Sequence, residues 1–581
     1  MKRLMTDASL VLGGNVTRMD GIEQAVAEPQ ADVSLVPETS PRTLVFTATY
    51  NERDNIPVLL EHIRALKLDL DILILDDNSP DGTWALVTEL QKSDPRLHLV
   101  HRPGKLGLGT AHQLAIVYAM QHGYDRLVTM DADMSHDPAD IPRLLERLKT
   151  CDFVIGSRYA AGGASDYEGY RKYISTLGNT GARFLLGLPL QEYTTSYRAF
   201  DVNKLRAAGG LTMRSSGYSF FLETVFRLHL AGFRMAEVPI KFRDRHAGVS
   251  KIPRLEVLNG MRKLLALTWE RLFPPHRRRY KLVEGETCAF CGGEYMAERI
   301  AKEVSTLTGV EAYRCSSMGH KSKPRVVQCL SCSLVQVPAS EQVADLEQLY
   351  SDVEDPQYVE NRDVRDLTFR YSFRRITPFL PKPGTMLEIG AYCGYFMKIA
   401  QEHGWRCHGV EPSRWAAQQA ESQLGITVFP GTLAECAAQL DPTYDVVVTW
   451  DVLEHVRDPL GFLKEAGEKL APGGILCFST LDIDNWFPRL LEKRWPWLMD
   501  MHLFYFTKGT LRLMLDAAGF ELVHDEPYRH YASVRYIFRK MRAILPSFLS
   551  PLLGVIERIV PRTLVIPISF GDVRAFVARK R

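Results

Sequence analysis

Three groups of residues in this chain have types and spacings suited to chemistry. The first is an apolar run, Leu127-Val128-Thr129-Met130, that ends in Asp131-Ala132-Asp133 and continues as Met134-Ser135-His136-Asp137-Pro138. A buried strand ending in Asp-x-Asp before a Pro-led helix puts hard carboxylate oxygens at the carboxyl edge of a sheet. Open α/β sheets bind ligands there, and such oxygens suit Mg²⁺ or Mn²⁺ bridging a diphosphate. The second group is a pair of CxxC knuckles, Cys288–Cys291 and Cys329–Cys332, with 37 residues between them. Four thiolates make a closed, tetrahedral zinc site, which is structural and not catalytic. Cys315 and His320 are alternative ligands at less regular spacing. The third is Met386-Leu387-Glu388-Ile389-Gly390-Ala391-Tyr392-Cys393-Gly394-Tyr395-Phe396, a strand, a glycine turn and a helix start, with Glu411 about 20 residues on to hold ribose hydroxyls. That turn alone does not choose between NAD, another nucleotide and S-adenosylmethionine. Two nucleotide-type sites of different chemistry point to two enzymes on one polypeptide.

Further clusters precede Asp131 in the order a nucleotide-sugar transferase needs: Ala48-Thr49-Tyr50-Asn51-Glu52 after the first strand, and Asp76-Asp77-Asn78-Ser79-Pro80-Asp81-Gly82 after the second. Carboxylates at Asp76 and Asp77 can hold base or ribose, and the later pair a metal on the diphosphate. Residues 43–273 resemble the family-2 glycosyltransferases of GT-A fold, specifically the dolichyl- or polyprenyl-phosphate mannose synthases. The resemblance is carried by TYNERDN (49–55), DDNSPDGT (76–83), KLGLGTA (105–111), DADMSHDP (131–138), GSRY (156–159), TTSYRAF (194–200), FFLETVFRLHLAGF (220–233) and EVPIKFRDRHAGVSK (237–251). It implies that Ala48, Tyr50, Glu52, Asp77 and Asp133 contact the nucleotide. It also implies that Asp131 and Asp133 hold the metal, with Ser135 a weaker ligand. The implied reaction moves mannose from GDP-mannose to a polyprenyl phosphate with inversion. That acceptor is already an anion, so it needs cations to position it more than a base. Arg158, Arg171, Arg245 and Lys251 fit that need, with Ser175 as a neutral donor, and the resemblance assigns these positions the same role. Departures are Ala48, where the family often has Pro, and Glu192-Tyr193-Thr194-Thr195-Ser196-Tyr197-Arg198, where it often has Asp-Pro-Thr-Ser-Gly-Phe-Arg. They bear on the identity of the sugar and the acceptor.

The glycine turn, together with Gly409-Val410-Glu411-Pro412-Ser413, Asp451-Val452-Leu453-Glu454-His455-Val456, LAPGGILCFST (470–480) and HLFYFTKGTLRLMLDAAGF (502–520), resembles a class I S-adenosylmethionine-dependent methyltransferase. Many such enzymes carry a similar zinc module in front. The resemblance implies that Glu388, Gly390, Gly394 and Glu411 bind the cofactor, with Asp451 near its adenine or methionine end. Tyr392 stands where the turn would have its middle glycine. A hydroxyl acceptor benefits from a base, and His455 and His502 are candidates. Trp486, Trp495 and Trp497 wall a sugar or lipid pocket, or pack the core.

These groups need α/β scaffolds, and the chain supplies them. From Thr43, strands at 43–47, 71–75, 97–100, 126–130 and 153–156 alternate with helices at 54–67, 83–92, 110–122 and 141–148, which predicts a mostly parallel sheet. The expected division is a flexible leader over 1–40, a GT-A domain over 41–275, a linker and zinc module over 276–345, and a Rossmann-like methyltransferase domain over 346–581. Residues 571–580 form its last strand, and 545–567 a lid or surface helix. Net charge is +2, so no global field selects nucleic acid. No stretch of ~20 apolar residues predicts a membrane span. The expected location is cytoplasmic, at the membrane face if the substrate is a lipid. Residues 255–273 form an amphipathic helix with Leu258, Met261, Leu264, Leu265, Trp269 and Leu272 on one face, followed by His276-Arg277-Arg278-Arg279. It is either a packed terminal helix with a basic linker or an interfacial helix at lipid headgroups. Two other functions remain open from sequence: a transferase using a UDP-sugar and a non-lipid acceptor, or a degenerate methyltransferase domain that only binds.

Overall fold

The computed structural model describes residues 40–581 apart from 166–169, 211–212, 214, 216, 244–254, 273–280, 303–322, 344–345, 545–549 and 562, and apart from the side chains at 170–175, 177, 255–259, 346–347, 540 and 543–544. The expected leader, Cys315, His320, Arg245 and Lys251 lie outside the described residues, as do the side chains of Arg171 and Ser175.

In the first half, strands β1 (Thr43–Thr49), β2 (Leu70–Asp76), β3 (Leu97–His101), β4 (Arg126–Asp131), β5 (Phe153–Ser157), β6 (Ala164–Ser165), β7 (Arg198–Asp201), β8 (Met235–Pro239) and β9 (Lys241–Phe242) form a seven-stranded sheet and a short ribbon, β6–β9. The large sheet has the order β3-β2-β1-β4-β7-β5-β8, and only β7 runs antiparallel to its neighbours. Both faces are covered, so the strands are near-continuous apolar runs. Leu44 and Phe46 enter one core and Val45 the other, as the two-residue side-chain period requires.

Four strands follow, β10 (Lys281–Val283), β11 (Met296–Ile300), β12 (Val326–Cys329) and β13 (Val335–Gln336). The C-terminal part adds β14 (Thr385–Ile389), β15 (Arg406–Glu411), β16 (Val428–Pro430), β17 (Tyr444–Thr449), β18 (Leu470–Leu481), β19 (Phe504–Tyr505), β20 (Phe520–Pro527), β21 (His530–Ser533), β22 (Val565–Ile568) and β23 (Val573–Lys580). Its large sheet has the order β16-β15-β14-β17-β18-β23-β20, with the last strand inserted antiparallel between β18 and β20. Final strand β23 matches the expectation for residues 571–580. Strand β19 leaves this sheet to complete the small antiparallel one, β10-β11-β12-β13-β19. Nothing in the short run Phe504–Tyr505 announces that switch.

The small sheet carries the paired cysteines. One sulfur from each of Cys288, Cys291, Cys329 and Cys332 lies within 4.8 Å of the others, with Cys288 and Cys332 3.4 Å apart and Cys291 and Cys329 3.6 Å apart. Hydrogen bonds from its neighbours hold the Cys288 thiol far below its ordinary pKa, while those of Cys329 and Cys332 are pushed up. Thiolates this close repel one another. Four need a dication, and this donor set fits zinc.

The helix expected over 255–273 spans Leu255–Leu272. Leu267 is buried, yet Met261, Leu265, Trp269 and Leu272 are all more than half exposed. Its polar side faces inward, because Lys263 pairs with buried Glu223 at 2.8 Å and Glu270 pairs with Arg227 at 2.6 Å. Those ion pairs turn the apolar stripe outward, beside exposed Phe184 of the neighbouring helix. Among the described residues no helix is long and apolar enough to cross a membrane.

One tightly held zinc per chain is expected by elemental analysis. Cys329→Ser should lose it and lower the Tm by roughly 5–10 °C. A metal-free wild type with an unchanged Tm would refute the assignment.

Candidate active sites

Parallel register builds the first site. Ala48 pairs with Asp131 across β1 and β4, and Thr49 with Asp76 across β1 and β2. Three of the expected residues, or their immediate neighbours, thus reach one sheet edge together. Asp131 is about one-third exposed, and its Oδ1 accepts from Ser196 Oγ at 2.6 Å. Asp133 is buried and accepts from both the amide and the hydroxyl of Ser135. The turn between them forces Met134 to a left-handed φ of 62°. His136 lies beneath. Its Nδ1 accepts from the Asp131 amide at 3.1 Å and its Nε2 faces Thr195 Oγ1 at 3.1 Å. Burial lowers its pKa, so the ring is a neutral brace. Two carboxylates braced by hydroxyls fit a hard divalent cation.

Asp76 and Asp77 divide their work. Asp76 is fully buried, and its carboxylate accepts from Thr49 Oγ1 at 2.8 Å and from Ser79 Oγ at 2.5 Å, which fixes the following turn. Asp77 meets fully buried Arg102 at 2.5 Å. Burial outweighs that arginine and raises the Asp77 pKa. Glu52 accepts from Asn55 Nδ2 at 2.7 Å, and Lys105 Nζ lies 3.3 Å from the centre of the Tyr50 ring. Arg158, expected at the acceptor phosphate, is clamped by Glu192: its Nε donates at 2.8 Å and an Nη at 3.0 Å, while that Nη also donates to Thr194 at 2.8 Å. Burial alone would raise the Glu192 carboxyl, but the guanidinium holds it below its ordinary range. The sequence named Glu192 only as a departure and did not single out Arg102, Lys105 or His136. Lys105 and His136 lie inside the motifs KLGLGTA and DADMSHDP, but their contacts with Tyr50 and Thr195, like that of Arg102 with Asp77, are made across the fold.

The second site opens into a cavity of about 2400 Å³. Gly390 and Gly394 have φ of 75° and 72°, and a Cβ on Gly390 would come 2.5 Å from Val452. Tyr392 adopts φ 46°, a left-handed conformation that costs about 1–2 kcal/mol. It is packed edge-on against Tyr358, with ring centres 4.5 Å apart. Glu411 ends β15, and its two oxygens accept from the Tyr392 amide at 3.0 Å and the Ser413 amide at 2.9 Å. Burial still pushes its carboxyl up to about 7. Glu388 is buried beside the turn, raised well above the carboxylate range by burial, with one oxygen lacking a hydrogen-bond partner. Asp451 exchanges hydrogen bonds with Ser479 at 2.9 and 2.5 Å. His455 and His502 stand together with ring centres 4.7 Å apart. Burial lowers the His455 pKa to about 4. Trp497 lines the cavity, Trp495 is core and bonded to Asp572 at 2.8 Å, and Trp486 is exposed.

A glycosyl transferase family 2 model matches residues 44–209, and a methyltransferase domain model matches residues 359–525. The chain is 41% identical over 236 residues to an undecaprenyl-phosphate mannosyltransferase of Micrococcus luteus, covering 97% of that protein and 40% of this chain. It is 39% identical over 245 residues to a polyprenol monophosphomannose synthase of Mycolicibacterium smegmatis, covering 91% of that protein and 42% of this chain. Solved structures similar to part of this chain include a SAM-dependent methyltransferase from Archaeoglobus fulgidus, 17% identical with a TM-score of 0.28, covering 39% of this chain and all of that one. The chain belongs to the family 2 glycosyltransferases. It is a bifunctional enzyme that joins such a transferase to a class I methyltransferase domain, whose chemistry implies S-adenosylmethionine as methyl donor.

Raised by burial, Glu411 is protonated below about pH 7 in the free protein. Its raised pKa favours the folded state below the unfolded carboxyl pKa, an advantage lost as pH rises through 7. A ribose diol bonded to the carboxylate requires the ionised form. Calorimetry should therefore show proton release on S-adenosylmethionine binding, and affinity falling about tenfold per pH unit below pH 7. Glu411→Gln should bind weakly at every pH. A flat wild-type profile would remove Glu411 from the ribose.

Proposed function

We propose that residues 41–275 transfer mannose from GDP-mannose to a polyprenyl phosphate, and that residues 346–581 methylate a hydroxyl of a sugar or glycolipid product. The observation that carries the first half is the 41% identity spanning 97% of a mannosyltransferase acting on undecaprenyl phosphate, as its name states. The second half rests on the cofactor-type turn opening into a cavity with room for far more than a cofactor.

Ala48, Tyr50, Glu52 and Asp77 hold the nucleotide, and Asp76 keeps their loop in place. Asp131 and Asp133, with Ser135 beside them, would hold Mg²⁺ or Mn²⁺, which would neutralise charge on the diphosphate. A phosphate oxygen of the acceptor attacks the anomeric carbon as the bond to the nucleoside diphosphate breaks. Arg171, Ser175, Arg245 and Lys251 position that phosphate. Arg158, already bonded to Glu192, lends a rigid guanidinium edge more than net charge. In the second site Glu388, Gly390, Gly394 and Glu411 hold S-adenosylmethionine, Asp451 its adenine or methionine end, and His455 meets the acceptor hydroxyl.

The outward stripe of Met261, Leu265, Trp269 and Leu272, flanked by exposed Arg262 and Arg271, supports docking at an anionic membrane surface. Leu265→Gln combined with Trp269→Gln should reduce sedimentation with anionic vesicles about tenfold or more. Equal sedimentation of variant and wild type would assign the stripe elsewhere.

The decisive assay is transfer of label from GDP-mannose to polyprenyl phosphate with Mg²⁺ or Mn²⁺, counted in an organic extract. Asp133→Asn should reduce it by about 10²-fold or more. A chain that binds another nucleotide sugar and yields no extractable label would sink the mannose–lipid reading and leave the fold intact.

A further inference from the structure

The methyltransferase cavity is lined by a group of three possible metal ligands that the cofactor turn does not use. Glu454 and His455 lie in the turn after β17, and His502 lies just before β19. One ligand atom from each falls within 4.8 Å of the other two, and all three line the cavity. His455 Nδ1 lies 3.0 Å from the Met501 carbonyl and 2.7 Å from the Tyr350 hydroxyl. His502 Nδ1 lies 2.7 Å from the Trp497 carbonyl. A carbonyl only accepts, so each Nδ1 carries the proton and each Nε2 keeps its lone pair. This is how metal-ligating histidines are oriented from behind.

Glu454 completes the set. Its side chain is buried, and Thr480 Oγ1 donates to one of its oxygens at 2.9 Å. Its backbone carbonyl accepts from the Leu503 and Phe504 amides at 2.8 and 3.2 Å, which ties the turn to the segment bearing His502. A buried carboxyl within 4.8 Å of one ring nitrogen of each of two imidazoles has no full charge to pair with in that group. Such an arrangement is costly unless a cation or proton lies between.

We propose that Glu454, His455 and His502 bind a divalent first-row transition cation whose open positions take the hydroxyl oxygens of the methyl acceptor. Two imidazoles and one carboxylate favour Mn²⁺, Fe²⁺, Co²⁺ or Zn²⁺ over Mg²⁺. Coordination acidifies the hydroxyl, and its proton passes to water in the cavity. The oxygen then forms a bond to the methyl carbon as the carbon–sulfur bond of S-adenosylmethionine breaks. The electron pair stays on sulfur, giving S-adenosylhomocysteine. His455 thus meets the hydroxyl through the cation instead of taking its proton. The catalytic consequence rests on the methylation reading above, but the cation site does not.

The test uses the full-length chain carrying Asp133→Asn, so that the diphosphate site does not contribute metal. The protein is equilibrated with Co²⁺ or Mn²⁺, desalted and analysed for metal. The expected result is one equivalent beyond the cysteine-bound ion, lost in both His502→Gln and Glu454→Gln. Both variants should still bind S-adenosylhomocysteine, which establishes that the domain is folded. The bound Co²⁺ should lack the sulfur-to-metal charge-transfer absorption of a thiolate site. Only the cysteine-bound equivalent in the parent, or a second equivalent retained in both variants, would overturn the proposal. Methyl transfer at full rate by chelator-treated enzyme would also overturn it and leave the methyltransferase reading standing. A second equivalent in a chain that methylates no glycolipid would keep the cation site and sink the substrate reading.

Discussion

The four cysteine sulfurs hold the middle of the molecule together. Cys288, Cys329 and Cys332 belong to a core shared with Leu387 and Phe478 of the methyltransferase sheet. Leu330, between two of those cysteines, packs in the glycosyltransferase core with Phe46 and Phe153. Val326 and Val335 of the same small sheet enter the other methyltransferase core. A sheet this small cannot bury enough apolar surface to fold alone, and below that size a metal is a usual remedy. Neighbouring sulfurs cannot all ionise without a dication between them. The cation the cluster calls for therefore fixes a module against which both large sheets pack.

Both active sites use one device on that frame. Parallel strands end together in carboxylates: Asp76 and Asp131 are last residues in one sheet and Glu411 in the other, with Glu388 one residue before the end of its strand. Burial makes these carboxylates expensive to ionise. The chain answers with directed donors, namely Ser79 and Thr49 on Asp76, Arg102 on Asp77, Ser196 on Asp131, and the Tyr392 and Ser413 amides on Glu411. Where donors are too few, as at Glu388, one oxygen is left without a partner on a residue that lines the cavity. That pattern is expected of sites whose ligand brings the missing hydrogen bonds.

Much of this was legible in the sequence because it is local. Strand runs, turn glycines, Asp-x-Asp and CxxC are each set by a few neighbouring residues, and the sheets form where those patterns place them. Features that depend on distant partners were not legible. The helix Leu255–Leu272 has a clear apolar face, yet pairing with Glu223 and Arg227 turns that face outward. Arg158 reads as a free cation until Glu192 meets it. The pair Phe504–Tyr505 looks like part of the methyltransferase but completes the cysteine sheet. In each case an ion pair or a strand pairing between residues far apart in sequence decided the outcome.

One short stretch of chain runs from the methyltransferase cavity past the cysteine sheet to the nucleotide-site loop. His502 lines the methyltransferase cavity. Phe504 and Tyr505 pair with β13 of the cysteine sheet. Thr510 then donates to the Cys332 carbonyl at 2.9 Å. Leu513, on the helix Lys508–Ala517, comes so close to Gly104 that a Cβ there would lie 2.5 Å from its Cδ2. Gly104 precedes Lys105, whose ammonium caps the Tyr50 ring at the nucleotide site. Packed interiors transmit displacement because they lack free volume to absorb it. The helix that follows His502 is thus in contact with the loop that covers Tyr50. A Cβ at position 104 would require the Leu513 side chain to shift, so glycine there lets the loop and the helix touch without that adjustment.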